Sequence, residues 1–287
     1  MYEWFTPRII FPAHERLTGH SYWSQSLELR ELQWRQADEL EDRAYQKLRP
    51  LLAHAYENVP FYREAFETAG IEPEAIRSVA DLSLLPSVTK ADLRRNFPVR
   101  VVAPNLPRER RRTGVTSGST GIPFDFFTDL AAMDVVRSSY LFFWDWAGIG
   151  PWVPGIRIAA PVHFYPSEGQ PGVVGKIVRR MLMGERLVSL AGTELDLPEF
   201  KDQVRRLGTN RPYFIWSYPS YGTRLASQIM EEGKGLERYP DVFVSYAETL
   251  TVADRELLEI AFRCNVVNHY GSLEIPFIAQ TCPDNPD

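Results

Sequence analysis

Apolar positions in the first hundred residues recur at helical rather than strand spacing. From Ser24 to about Leu52 a densely charged stretch carries Leu29, Leu32, Leu40 and Leu48 among its apolar positions, the pattern of a surface helix. The segment HAYENVPFYREAFETAG continues helically, is broken at Pro60 and ends at Gly70, which suits a C-cap. Two short helical pieces punctuated by proline follow in SVADLSLLPSVTKADLRRNFP.

The pattern changes in the last third. YFIWS at 213–217 reads as a strand, and PSYGTRLASQIMEEG as a helix with proline in its opening turn, Leu225 and Ile229 at helical spacing, and Gly233 as its stop. DVFVSY is a second strand, TVADRELLEIAFR a helix with a threonine cap, and NVVNHY a third strand. Short strands alternating with helices predict parallel pairing through right-handed crossovers. The three carboxyl ends, carrying SYPS, SYAET and HYGSLE, then share one edge of the sheet, where open α/β sheets bind ligands.

Composition narrows the class. The chain has 287 residues, 44% hydrophobic and 24% charged, enough for a large core in one or two domains. With 37 acidic and 32 basic side chains the net charge is −5, which excludes a general nucleic-acid binder. The local exception, RERRR at Arg108–Arg112, is either a solvated loop or a lure for an anion. Two cysteines, Cys264 and Cys282, are too few for a disulfide framework, and the first residues lack the features of a signal peptide, so a cytoplasmic location is expected. The apolar region SSYLFFWDWAGIGPWVPGIRIAAPV is interrupted by Asp145, Arg157 and prolines; it reads as a core segment or a pocket wall, not as a membrane span.

The candidate chemistry centres on RTGVTSGSTGIPFDF, Arg112–Phe126. Gly118 and Gly121 can adopt positive φ, which lets successive N–H groups turn inward as an anion nest. Thr116, Ser117, Ser119 and Thr120 add hydroxyl donors. The alternative is a polar surface turn. A P-loop is excluded, because Gly121 is followed by Ile122 and Pro123 rather than by lysine and a helix.

TSGSTGIP resembles the phosphate loop of adenylate-forming enzymes, and YGSLE resembles their second nucleotide motif. LLAHAYENVPFYREAFETAGI, LLPSVTKADLRRNFP, SYPSYGTRLA and ETLTVADRELLEIAF are similar to the branch of phenylacetate–CoA ligases and CapK-like proteins, in the expected order from roughly Leu32 to Cys282. The resemblance implies an α/β fold, the large N-terminal domain of such enzymes, with mostly parallel sheets flanked by helices and a helical N-terminal extension. It divides the chain into a helical part, residues 1–110, and a nucleotide-binding core, residues 111–287. It further implies ATP-dependent activation of an aromatic or other small carboxylic acid as an acyl-adenylate, with Mg²⁺ present, and transfer to coenzyme A or another thiol. The aromatic residues near 140–165 suit an apolar acyl pocket, with His163 either lining it or serving structure.

Carried over by position, Thr116, Ser117, Gly118, Ser119, Thr120 and Gly121 would wrap the β- and γ-phosphates, with Thr116, Ser119, Thr120 and Glu274 as the catalytic set. Ala247 and Glu248 would line adenine and ribose. His269, Tyr270, Gly271 and Ser272 would complete the nucleotide site, Tyr270 packing on adenine and Glu274 holding Mg²⁺. Two departures stand out. Leu273 occupies a position where relatives carry Thr or Ser, whose hydroxyl is expected to touch the α-phosphate or acyl carboxylate. The chain also ends at Asp287, before the ribose-binding acid, the hinge and the small C-terminal domain with its catalytic lysine; the resemblance implies that this domain is absent. A fragment of a longer chain, a second polypeptide supplying the domain, or a module that binds nucleotide or acyl-adenylate without efficient turnover are the arrangements left open, as is a homodimer, beside an unrelated α/β protein. Neither nucleic acid nor membrane is expected as a partner. Cys282 is either an idle thiol or the start of a zinc site.

Overall fold

The computed structural model describes residues 2–116, 124–150, 152–159, 187–208 and 212–282. They fall into two compact units, Glu28–Met133 and the combination of Met1–Leu27 with Asp134–Asp287.

In the unit Glu28–Met133, helices Ala37–Asn58 and Pro60–Ala69 are separated by Val59, which is extended at φ −119° and ψ 103°. Pro60 explains the break: its ring disfavours helical geometry in the preceding residue, while its own fixed φ suits the first turn of a new helix. Gly70 ends the second helix at φ 65°, its N–H returning to the Phe66 and Glu67 carbonyls. Leu52, Phe66 and Ile76 form the buried centre of this pair. The helix-forming stretch from Ser24 to about Leu52 is divided between two helices, Tyr22–Leu32 and Ala37–Asn58. Gln36 is extended at the break, and Asp38 and Glu39 occupy the first turn after it, where carboxylates face the positive end of the helix. Both short pieces are present: a 3₁₀ turn at Ala80–Leu84, and helix Lys90–Asn96 opened by a capping box between Thr89 and Asp92.

This unit ends in a hairpin of β1 (Arg112–Val115) and β2 (Asp125–Thr128), with Gly114 opposite Phe126. Thr116 extends it by one pair: its N–H donates to the Phe124 carbonyl at 2.9 Å, and its hydroxyl accepts from the Phe124 N–H at 3.1 Å.

In the other unit the N-terminal arm, helices Tyr2–Phe5 and Phe11–Thr18 joined by a π-helical stretch Thr6–Ile10, buries Phe11 with Tyr22 and Trp23 against Leu141. Asp134, 4% exposed, accepts from His20 Nδ1 and from the Ser21 N–H, each at 2.8 Å. A carboxylate so deeply buried requires such partners, and they fix the arm to the helix Leu130–Trp146.

The core of this unit is a six-stranded sheet built from β3 (Gly155–Ala159), β4 (Leu187–Ala191), β5 (Phe214–Ser217), β6 (Val242–Ser245), β7 (Asn265–Tyr270) and β8 (Ala279–Gln280). The order is β4-β3-β5-β6-β7-β8; the first five are mutually parallel and β8 runs antiparallel at the edge. The strand–helix–strand–helix–strand reading of residues 213–270 matches this arrangement. Pro219–Glu232 opens on proline and ends at Gly233 (φ 70°), and Thr251 caps Val252–Phe262 through Asp254. Alternate residues face opposite layers. Tyr213, Ile215 and Phe243 pack with Phe200, Leu225, Leu258 and Phe262 from three helices, whereas Phe214, Trp216 and Val244 pack with Tyr140 and Trp144 of Leu130–Trp146. Strands buried on both faces are continuously apolar, which is why FIWS and VFVS stand out in the sequence. Among the described residues no helix is long and apolar enough to cross a membrane.

Candidate functional site

Ser217, Ser245 and Asn268 lie side by side in register, so the loops SYPS, SYAET and HYGSLE leave the sheet at one edge. Each loop is fixed differently.

Helix Pro219–Glu232 begins at Tyr218, which offers no side-chain cap. Its exposed N–H groups need an outside acceptor, and Glu248 supplies one from the next loop. The carboxylate accepts from the Ser220 N–H and from the Ser220 hydroxyl, both at 3.0 Å. A negative charge at a helix N-terminus also gains from the helix dipole. Ala247, immediately before it, has φ 68°, a conformation that residues other than glycine seldom adopt. The Tyr246 N–H donates to the Ser217 carbonyl at 3.2 Å, so the bend is held on both sides. Sequence reasoning missed Ser220. The available signal was a helix opening on proline with no Ser, Thr, Asp or Asn at its cap.

Beneath this bend is a polar aromatic wall. The Tyr246 hydroxyl accepts from Arg157 Nε at 3.1 Å, and the Arg157 guanidinium lies over Trp216, 4.8 Å from its ring centre. Trp216 and Tyr218 rings sit 4.7 and 4.9 Å from Tyr246. Burial pushes the Tyr218 hydroxyl above its ordinary range, so it stays neutral. Arg157 interrupts the apolar run GIRIA, and a cation in a buried strand was a readable sign of a specific partner.

At the end of β7, Tyr270 is 66% exposed, a large ring left uncovered at the carboxyl edge. Gly271 follows at a position where a Cβ would lie 2.0 Å from the Pro276 carbonyl oxygen. The turn is tight: the Ser272 N–H donates to the Ile275 carbonyl at 2.9 Å, the Ser272 hydroxyl accepts from the Ile275 N–H at 3.1 Å, and the Ile278 N–H donates to the Tyr270 carbonyl at 3.1 Å. Glu274, half-buried, is carried within this turn. His269 does not point outward with Tyr270; it is 5% exposed, its Nε2 lies 2.8 Å from the Pro276 carbonyl, and its ring is 4.2 Å from Phe277. Burial pushes its imidazole below the ordinary value.

The structure therefore brings Ala247, Glu248, His269, Tyr270, Gly271, Ser272 and Glu274 to the ends of two adjacent strands. Thr116 belongs to the other unit, at the base of the β1–β2 hairpin. Ser117, Gly118, Ser119, Thr120 and Gly121 lie outside the described residues, as does His163. The described part of the aromatic run near 140–165 packs against the core: Tyr140 lies 5.1 Å from Trp216 and Trp144 5.0 Å from Phe214. Within RERRR, Arg111 donates to the Leu106 carbonyl and Arg112 to the Glu109 carbonyl. Among the described residues no group of three or more His, Cys, Asp or Glu could hold a metal unaided. Magnesium arriving on a triphosphate needs only one or two protein carboxylates, and Glu274 fits that demand.

No protein-family model matches the chain. It is, however, similar over most of its length to phenylacetate-coenzyme A ligases and to CapK. The ligase of Aromatoleum evansii is 29% identical over 260 residues, covering 87% of this chain and 55% of the relative. That of Escherichia coli (strain K12) is 29% identical over 261 residues with the same coverage. Protein CapK of Staphylococcus aureus is 25% identical over 269 residues, covering 93% of this chain and 56% of the relative. The chain thus spans about half the length of the curated relatives it matches. Among solved structures, an open conformation of 2-hydroxyisobutyryl-CoA ligase in complex with 2-HIB-AMP and CoA superimposes with a TM-score of 0.60 at 21% identity. That match covers 84% of this chain and 55% of the ligase, and it establishes a shared α/β fold.

Proposed function

We propose that this chain is the nucleotide-binding part of an acyl-adenylate-forming ligase that activates a small carboxylic acid with ATP for transfer to a thiol, coenzyme A by preference. The observation that carries the reading is the register of β5, β6 and β7, which lines up SYPS, SYAET and HYGSLE at one sheet edge. Ligands of open α/β sheets settle at this place.

In this reading a carboxylate oxygen of the acid attacks the α-phosphorus of ATP, the bond to the bridging oxygen breaks, and pyrophosphate leaves. The thiol then displaces AMP from the acyl carbon. The protein's task is to hold charge and geometry, not to supply a nucleophile. The exposed Tyr270 ring offers a face to adenine, and the bend at Ala247 borders the base and ribose. Glu248 keeps that bend in place through Ser220. Thr116, Ser117, Gly118, Ser119, Thr120 and Gly121 receive the β- and γ-phosphates. Glu274 would hold Mg²⁺ on the phosphates, and the ion would offset charge developing there. A cytoplasmic setting completes the proposal.

A second reading, binding without efficient turnover, is favoured by one observation. The position before Glu274 is Leu273, and the adjacent Ser272 hydroxyl oxygen is engaged by the Ile275 N–H within the turn. ATP–pyrophosphate exchange on the purified chain, with phenylacetate and a panel of small acids, separates the two. Acid-dependent exchange supports the ligase, ATP binding without exchange supports the binding module, and no ATP binding at millimolar nucleotide overturns both.

A further inference from the structure

We infer that His269 is a positioning residue for the turn that carries Glu274, holding it through a hydrogen bond from Nε2–H to the Pro276 carbonyl. The consequence for the nucleotide rests on the reading of Glu274 given above; the bond itself does not.

His269 is anchored on the sheet. The backbone of β7 pairs with β6 at Val244↔Val267 and Ser245↔Asn268, and with β8 at His269↔Gln280. The ring points into the layer beneath, where Phe143 and Phe277 lie 5.9 and 4.2 Å from its centre. It cannot swing without opening that packing. Its Nε2 is 2.8 Å from the Pro276 oxygen, and a carbonyl can only accept, so the proton is on Nε2. Nδ1 is buried with no hydrogen-bond partner among the described residues, as expected for the bare nitrogen of that tautomer.

The turn has its own local bonds, Ser272 with Ile275 and Tyr270 with Ile278. The first lies within the turn, and the second ties its returning end to β7 beyond Pro276. The bond to Pro276, two residues beyond Glu274, ties the returning limb to a side chain rooted in β7. Gly271 permits it, since the Pro276 oxygen occupies the space that a Cβ would need. A histidine at the inner position beside Tyr270 thus adds to the backbone tie at Ile278 a second link, made at Pro276 from the protein interior.

The test compares His269→Leu, which keeps bulk and removes the donor, with His269→Gln, whose amide can still donate. Hydrogen–deuterium exchange is read in peptides spanning 271–278 and in a control peptide from β5. Exchange in the turn should rise about tenfold in His269→Leu, stay near wild type in His269→Gln, and be unchanged in β5 for both. Wild-type exchange in His269→Leu, or equal loss in both variants, overturns the inference. If His269→Leu fails to fold, ¹⁵N-edited imidazole spectra of the unaltered protein decide. A protonated Nε2 in slow exchange with bare Nδ1 supports the bond; the Nδ1–H tautomer overturns it. Faster exchange in His269→Leu with unchanged Mg·ATP affinity would uphold the positioning of the turn and overturn the reading of Glu274.

Discussion

Glu248 accepts both hydrogen bonds that Ser220 offers at the opening of helix Pro219–Glu232, each of its oxygens 3.0 Å from a Ser220 donor. One carboxylate thereby joins the loops that follow β5 and β6. Its loss leaves a helix without a cap and the strained Ala247 without support on one side. Glu248→Ala should destabilise the protein by about 1 kcal/mol, the scale of a lost helix cap, and Glu248→Gln by less. Urea titration measures the first effect. ATP affinity, falling in parallel, would show that the clasp matters to the site.

Gly271 has a steric rather than a dihedral requirement. A Cβ there would meet the Pro276 oxygen at 2.0 Å and the Ile275 oxygen at 3.2 Å, both backbone atoms that cannot rotate aside. Gly271→Ala should therefore lower the melting temperature and weaken Mg·ATP binding together. Ser272→Ala, which removes a single hydrogen bond to the Ile275 N–H, should cost about 1 kcal/mol or less. Equal melting temperatures for Gly271→Ala and wild type would show that the turn is not built as described.

Acid should reveal His269. Its imidazole is held below the ordinary 6.5 by burial against Phe143 and Phe277, which outweighs the hydrogen bond to the Pro276 carbonyl that favours the charged form. Above 6.5 it is neutral in both folded and unfolded chains, and its contribution is fully present. As the pH falls below 6.5 the unfolded chain takes up a proton that the folded one refuses, so stability drops until the folded value is passed. Urea midpoints measured from pH 7.5 to 5 should fall less steeply in His269→Gln than in wild type. Parallel slopes would place the acid sensitivity elsewhere.

Cys264 provides a check on the other layer of the sheet. Burial, with Glu259 and Asp241 nearby, pushes its thiol up to about 12. At pH 8 the thiolate fraction is about a thousandfold below that of an ordinary cysteine, and thiolate is the reactive form. Iodoacetamide should modify Cys264 only after unfolding. Rapid alkylation in the native protein would mean that the packing around it is looser than described.

The part of the fold legible in the sequence is the part buried on both faces. FIWS and VFVS are apolar up to the serine that ends each, and Pro219, Gly233 and Thr251 punctuate the helices between them. The break before Ala37 was not legible, because residues 33–36 contain neither glycine nor proline. The β1–β2 hairpin was hidden for another reason: its four-residue strands alternate only weakly, and their partners lie across the glycine-rich loop. For the site, motif position located Glu248, His269 and Glu274, but not what their side chains do. The Glu248–Ser220 clasp spans 28 positions and the Arg157–Tyr246 bond spans 89, separations at which periodicity carries no information.

The proposed phosphate loop is the element on which the proposed chemistry rests most heavily, and side-chain replacements test it. Ser119 and Thr120 supply hydroxyl donors, while Tyr270, two-thirds exposed, contributes a ring face and little to the core. Replacing the hydroxyls should weaken interactions with the triphosphate but leave AMP, which lacks the β- and γ-phosphates, nearly unaffected. Replacing the ring should weaken both nucleotides alike. Each lost charge-assisted hydrogen bond is worth about 1.5–3 kcal/mol. Ser119→Ala with Thr120→Ala should therefore raise the Kd for ATP at least about tenfold, with AMP changed less than about twofold. Tyr270→Ala should raise both by similar factors. Calorimetric titration of the two nucleotides against the two variants gives four numbers. If the double variant binds ATP as wild type does while its melting curve is unchanged, the glycine-rich loop is a surface turn, and the phosphates, if bound at all, are held elsewhere.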